Sequence, residues 1–251
     1  MQIGADIYCD TQCIIRALEQ RFPEPTLFPG GAAGMAWGVG QWTDGPLFQD
    51  VINVALVEMS PNMPAEFLAD RGPLYFGPDF SLDDIKAKYA QCLANIRAQF
   101  GWMDERVAAR AFMLGDHPGL PDALAYYLVW FLSDRMAAGD EFLSQFRNLM
   151  AWEQRVKAIG HGQPEDMSDL EALQIASKAN PQTPEQADPG DPLGLNIGDQ
   201  IGIEPASGGP QVTGRLHSLS ANHAAILRQD DQVGRVCVHF PRMGYRMKRL
   251  A

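Results

Sequence analysis

One stretch constrains the fold more than any other. From Phe112 to Leu132 the chain reads Phe-Met-Leu-Gly-Asp-His-Pro-Gly-Leu-Pro-Asp-Ala-Leu-Ala-Tyr-Tyr-Leu-Val-Trp-Phe-Leu. A turn through Gly115–Gly119 launches a helix whose first turn holds Pro121 and Asp122. Proline is tolerated there because its missing N–H would have no helical partner, and the carboxylate complements the positive end of the helix dipole. Leu124, Tyr127, Leu128 and Phe131 then recur at helical spacing, and Ala123, Tyr126, Val129 and Trp130 make the other faces apolar too. A helix apolar all round belongs in the middle of a bundle.

With 251 residues the chain can bury one sizeable core, or a core plus a satellite domain. Its 46% hydrophobic and 20% charged residues describe a globular protein, and no apolar run is long enough to span a bilayer. The first residues lack the basic start and apolar stretch of a signal peptide, so a cytoplasmic location is expected. The net charge of −11 argues against non-specific nucleic-acid binding. That charge is uneven: the segment from Leu193 onward carries +3 and the remainder −14, which suggests two separate units. Cys9, Cys13, Cys92 and Cys237 fit neither a disulfide framework nor a zinc spacing and read as small apolar residues; no metal is expected.

Ala5–Cys9 reads as a strand running into a helix that ends at Arg21, before Pro23-Glu24-Pro25. Asp10-Thr11 looks by itself like a helix cap. After the flexible Gly30–Gly34 passage a helix is expected over 35–59, kinked at Gly45-Pro46, then a Pro-rich loop over 61–78. Further helices are expected over 82–100, 105–113, 140–159 and 168–179. Residues 181–192 form a linker rich in Pro, Asp and Gln, expected to be extended and exposed. About five short strands then fill 193–251, which predicts a small SH3-like β-barrel. His239-Phe-Pro-Arg242 with Arg246, Lys248 and Arg249 reads as an anion or partner site, or as a charged sheet edge. His117, His161, His217 and His223 show no partner at metal or catalytic spacing, and there is no Gly-rich phosphate loop, nucleophile elbow or zinc motif.

Three segments, in order, resemble glutathione S-transferases. Ile7-Tyr8-Cys9-Asp10-Thr11 through Leu18-Glu-Gln-Arg-Phe-Pro23 is similar to the last strand and helix of the family's thioredoxin-like domain. Leu114-Gly115-Asp116-x-Pro118-x-Leu120-x-Asp122 resembles the capping segment of its helical domain, with Gly119 where a Ser or Thr is usual. Phe146-Arg-Asn-Leu-Met-Ala-Trp152 resembles its closing helix. The fold class expected is therefore mainly α. It comprises a truncated thioredoxin-like remnant over 1–28, a glutathione S-transferase C-terminal-type helical bundle over 29–180, the linker, and the barrel.

The resemblance implies that Asp10 and Thr11 hold the γ-glutamyl end of glutathione. The acid would balance its ammonium group, and the hydroxyl and helix N–H groups would receive its carboxylate. It further implies Trp42 and Phe48 as substrate-pocket residues, against the plainer reading of core aromatics. Glutathione is the implied co-substrate, a small electrophile or disulfide the implied substrate, and a homodimer the implied assembly. The family's nucleophile-bearing segment precedes the part matched here, so no catalytic residue is assigned and the chain alone is expected to lack transferase activity. The alternative is a non-catalytic binding or scaffold protein, whose helical bundle and barrel engage a protein or small-molecule partner.

Overall fold

The computed structural model describes residues 1–250. In chain order the elements are β1 (Gln2–Ile3), β2 (Asp6–Tyr8), α1 (Asp10–Arg21), α2 (Ala33–Thr43), α3 (Pro46–Met59), α4 (Ala65–Phe76), α5 (Leu82–Ala109), α6 (Leu120–Arg135), α7 (Gly139–Leu143), α8 (Arg147–Lys157), α9 (Asp169–Lys178), β3 (Gln186–Ala187), β4 (Gln200–Pro205), β5 (Val212–Leu219), β6 (His223–Asp230), β7 (Gly234–Pro241) and β8 (Tyr245–Arg249). They form two compact units. One is residues 25–162; the other joins residues 1–24 to the described residues from 163 onward.

The helical unit is built on α3, α5, α6 and α8. Val51 and Val54 of α3, Ile96 and Phe100 of α5, Leu128 and Leu132 of α6, and Trp152 of α8 are fully buried in one cluster. The apolar run from Leu120 thus forms the central helix, except that Ala123 and Trp130 are exposed, with the Arg135 guanidinium 5.8 Å from the Trp130 ring centroid. The kink expected at Gly45-Pro46 is a full break, so that α2 and α3 are two helices rather than one over 35–59. A Cβ on Gly45 would lie 2.6 Å from the Gln41 carbonyl oxygen, so only glycine fits there.

Three further helical expectations change. The Pro-rich stretch holds a helix, α4, because Pro61, Pro64 and Pro78 fall outside it and Pro73 alone falls inside. Helix α5 runs unbroken through Gly101, since burial of Phe100 and Met103 outweighs the roughly 1 kcal/mol that a mid-helix glycine costs. The helix expected over 140–159 is two helices. Asp104 of α5 accepts from the Leu149 backbone N–H at 2.8 Å and from the Asn148 amide at 2.9 Å, so the first turn of α8 is capped from another helix.

The sheet unit has eight strands in the order β1-β2-β7-β6-β5-β4-β8, with β3 paired to β5. The end strands β1 and β8 do not pair with each other, so the sheet is open; the expected SH3-like barrel is not what forms. The reason lies at the other end of the chain. Strand β2 adds to β7 in parallel, with Asp6 opposite Cys237, Ile7 opposite Val238 and Tyr8 opposite His239. The edge that would close a barrel is thereby taken, and the N-terminal segment gains the sheet it lacks alone. Ile201, Ile203, Leu216 and Ile226 fill the core of one face. Residues 181–192 are not freely extended either. Gln182 and Thr183 bond to Asp6, β3 joins β5, and Asp191 is paired with Arg242. Among the described residues, no helix is long and apolar enough to cross a membrane.

Candidate functional site

Strand β2 ends at Tyr8, and the chain turns directly into α1. Asp10 sits at φ +68°, a left-handed conformation that aspartate tolerates better than most residues, and its Oδ1 accepts from the Gln12 N–H at 2.9 Å. Asp10 and Thr11 are both exposed at the start of the 12-residue α1. A carboxylate and a hydroxyl therefore share one exposed turn at a helix N-terminus, a set that suits a zwitterionic amino-acid end.

Trp42 and Phe48 lie in the helical unit, half-buried against its core. The Trp42 indole donates to Gln99 Oε1 at 2.6 Å, and Phe48 packs on Tyr75 and Tyr127 with centroids 6.1 and 6.2 Å away. A cavity of about 200 Å³ in that unit is walled by Ile52, Leu56, Phe67, Tyr75 and Phe131, with Arg71 and Arg135 beside them; Phe48 touches one of its walls.

Register in the sheet unit assembles a polar cluster that local spacing does not reveal. Tyr8 faces His239 across β2 and β7, and their rings stack at 4.2 Å. Asp6, two residues earlier on the same face, receives His239 Nε2 at 2.9 Å. On the other flank His223 of β6 meets His239, Nε2 to Nδ1, at 2.8 Å. Asp6 also accepts from the Gln182 N–H at 2.8 Å and the Thr183 hydroxyl at 2.9 Å. Asp6 and His239 are each 2% exposed. Burial alone would raise the Asp6 carboxyl, but the hydrogen bonds from His239, Gln182 and Thr183 bring it below its ordinary value. An ionised carboxylate only accepts, so His239 donates to Asp6 from Nε2. Burial, then the charge of His239 and of Arg16, lowers His223 to about 4.

Cys237 places its thiol with Asp6 and His239, all three donor atoms lying within 4.8 Å of one another. Both imidazole nitrogens of His239 are committed to hydrogen bonds, and burial pushes the Cys237 thiol up to about 12, so the group as built is a hydrogen-bonded cluster. His223 thus does have a partner, contrary to its spacing in the sequence. His239 is buried rather than part of a charged edge, because β2 covers what would have been the edge of β7. The signal that could have found them is alternation: His223 and Ala225, Cys237 and His239, and Asp6 and Tyr8 each fall two apart on one face.

No curated protein matches this sequence. Residues 86–155 match the family described as glutathione S-transferase, C-terminal domain. Among solved structures, a GST-like protein from Pseudomonas syringae is similar over 99% of this chain and 80% of its own, at 27% identity and a TM-score of 0.75. A glutathione S-transferase from Rhodospirillum rubrum, at 16% identity, covers 66% of this chain and 71% of its own with a TM-score of 0.44. One from Methylobacterium radiotolerans, crystallised with glutathione sulfonate, is 18% identical over 64% and 69% with a TM-score of 0.39. The last two likenesses are too loose to bear on this chain. The matched segment contains most of α5, the Asp122 turn, α6 and Trp152, which form much of the helical core. Through these residues, the helical unit is similar to the C-terminal domain of glutathione S-transferases.

Proposed function

We propose that this is a glutathione-binding protein that presents the tripeptide's thiol to a small electrophile or disulfide, with Asp10 and Thr11 holding its γ-glutamyl end. The observation that carries the reading is the β2–α1 turn. There an exposed carboxylate and hydroxyl stand together at the start of a helix. Asp10 opposes the ammonium group; Thr11 and the backbone N–H groups receive the α-carboxylate. The match of residues 86–155 to the glutathione S-transferase C-terminal domain and the likeness to the GST-like protein of Pseudomonas syringae support it.

Calorimetric titration of the chain with glutathione tests this. Binding is expected, and Thr11→Ala should weaken it about tenfold, the loss of one charge-assisted hydrogen bond. Unchanged affinity in Thr11→Ala and Asp10→Asn would overturn the assignment.

A further inference from the structure

Strand β8 is one end of the sheet and pairs with β4 alone, antiparallel, from Ile201 opposite Arg249 to Pro205 opposite Tyr245. The Ala206 N–H donates to the Gly244 carbonyl and the Leu250 N–H to the Gln200 carbonyl, each at 2.8 Å. Bonded pairs alternate along an antiparallel ladder, so Gly244, Arg246, Lys248 and Leu250 turn their backbone groups to β4. The N–H and C=O groups of Tyr245, Met247 and Arg249 therefore point the other way, where no strand pairs with them among the described residues. Pro205 fits this alternation, since it stands opposite Tyr245, a position that needs no donor.

A groove of about 490 Å³ is lined by Tyr245, Arg246, Met247 and Lys248 in succession, with Leu193 beside them. Arg246 and Arg249 bring it no free charge, since Glu204 lies 3.3 Å from the first and Asp199 2.6 Å from the second. Arg242, also at the groove, is paired with Asp191. Lys248 differs. It is exposed and, among the described residues, has no ion pair or hydrogen bond.

Tyr245 and Met247 pack on the sheet core, and alternation puts Lys248 on the opposite face of β8. A strand added at this edge meets Tyr245 and Met247 with apolar residues and, alternating with them, meets Lys248 with an acid. A second copy of β8 does not suit. Paired antiparallel about Met247, it would set Lys248 directly opposite a second Arg246, and like charges in that position destabilise.

We propose that the β8 edge binds an extended acidic segment of another protein as an added strand. The outward backbone groups of Tyr245, Met247 and Arg249 hold it, and Lys248 selects its charge.

The test is titration of the full chain, followed by backbone amide NMR, with a blocked heptapeptide of alternating valine and glutamate. The same peptide with lysine in place of glutamate is the comparison. The glutamate peptide is expected to bind, shifting the Tyr245, Met247 and Arg249 amides and slowing their exchange. The lysine peptide is expected to bind at least tenfold more weakly. Met247→Pro removes an N–H that β4 does not use, a change that an edge strand tolerates. It should cut binding at least tenfold while the Arg246 and Lys248 amides stay protected. Lys248→Glu, at an exposed side chain without a partner, should abolish the preference for the glutamate peptide, a readout that remains if Met247→Pro does not fold. No binding of the glutamate peptide, equal binding of both peptides, binding that leaves the three outward amides unmoved, or self-association of the chain through those amides overturns the proposal.

Discussion

Asp122 and Trp152, 30 residues apart in the chain, meet inside the helical unit, where the indole N–H donates to Asp122 Oδ1 at 2.7 Å. The same carboxylate accepts from the Met113 N–H and the Gly119 N–H, each at 2.9 Å. Asp122 is 1% exposed, so it joins three segments with no water to replace it. Asp122→Ala leaves three donors orphaned and should cost about 4 kcal/mol. For a chain of this size that is a fall of about 10 °C in the unfolding midpoint. Trp152→Phe removes one of the three bonds and should cost markedly less.

Gly119 precedes α6 where the family usually has a capping Ser or Thr, and restoring that residue should do harm. A Cβ there would lie 2.7 Å from Pro29 Cδ and 3.0 Å from the Leu27 carbonyl oxygen, which itself accepts from the Leu120 N–H at 2.8 Å. The chain before α2 has moved into the space a side chain would need. Gly119→Ser should destabilise by about 1 to 3 kcal/mol, as overpacking does, despite the better cap. The double variant Gly119→Ser with Pro29→Ala should recover part of the loss, and thermal unfolding of the two would show it.

Acid should loosen the sheet unit before it affects the helical core. His223, lowered to about 4 from an ordinary 6.5, is held neutral by the fold, so the unfolded chain binds the extra proton first. Its contribution is complete above pH 6.5 and is lost as pH falls toward 4, amounting to at most about 3 kcal/mol. Asp6, also lowered, adds a further loss as pH falls below 3.8. His223→Gln should flatten the stability profile between pH 4.5 and 6.5, as followed by exchange of the β6 and β7 amides.

Burial sets the thiols. It pushes Cys13 and Cys237 up to about 12 and Cys92 up to about 11. At pH 7.5 these three are protonated and enclosed, so iodoacetamide should leave them unmodified in the native chain and label them after denaturation. Rapid labelling of Cys13 in the folded protein would mean that α1 opens from the sheet.

What could be read from the sequence was local. The run after Gly119, the strand and helix at residues 5–21, and the helix expected over 168–179 each carry their signal within a few turns of chain. What escaped depends on distant partners. Asp104 splits a predicted helix from 45 residues away, and Asp6 and His239 stand 233 residues apart. Nothing in a window of helical or strand length reports that β7 has a parallel neighbour at the far end of the chain. The barrel failed as a prediction for that reason alone: its strands were recognisable, and its edge was already spoken for.

The pairing of β2 with β7 also sets a timetable. During synthesis the strand bearing Asp6 leaves the ribosome first, and its partner follows 233 residues later. At roughly 5–20 residues per second, that is a wait of about ten to fifty seconds. The helical unit, contiguous from 25 to 162, is made in full during that interval. Residues 1–24 must therefore stay soluble and unmispaired beside a nascent chain that is already folding. A two-residue β1 and a three-residue β2, too short to recruit a foreign strand, meet that requirement.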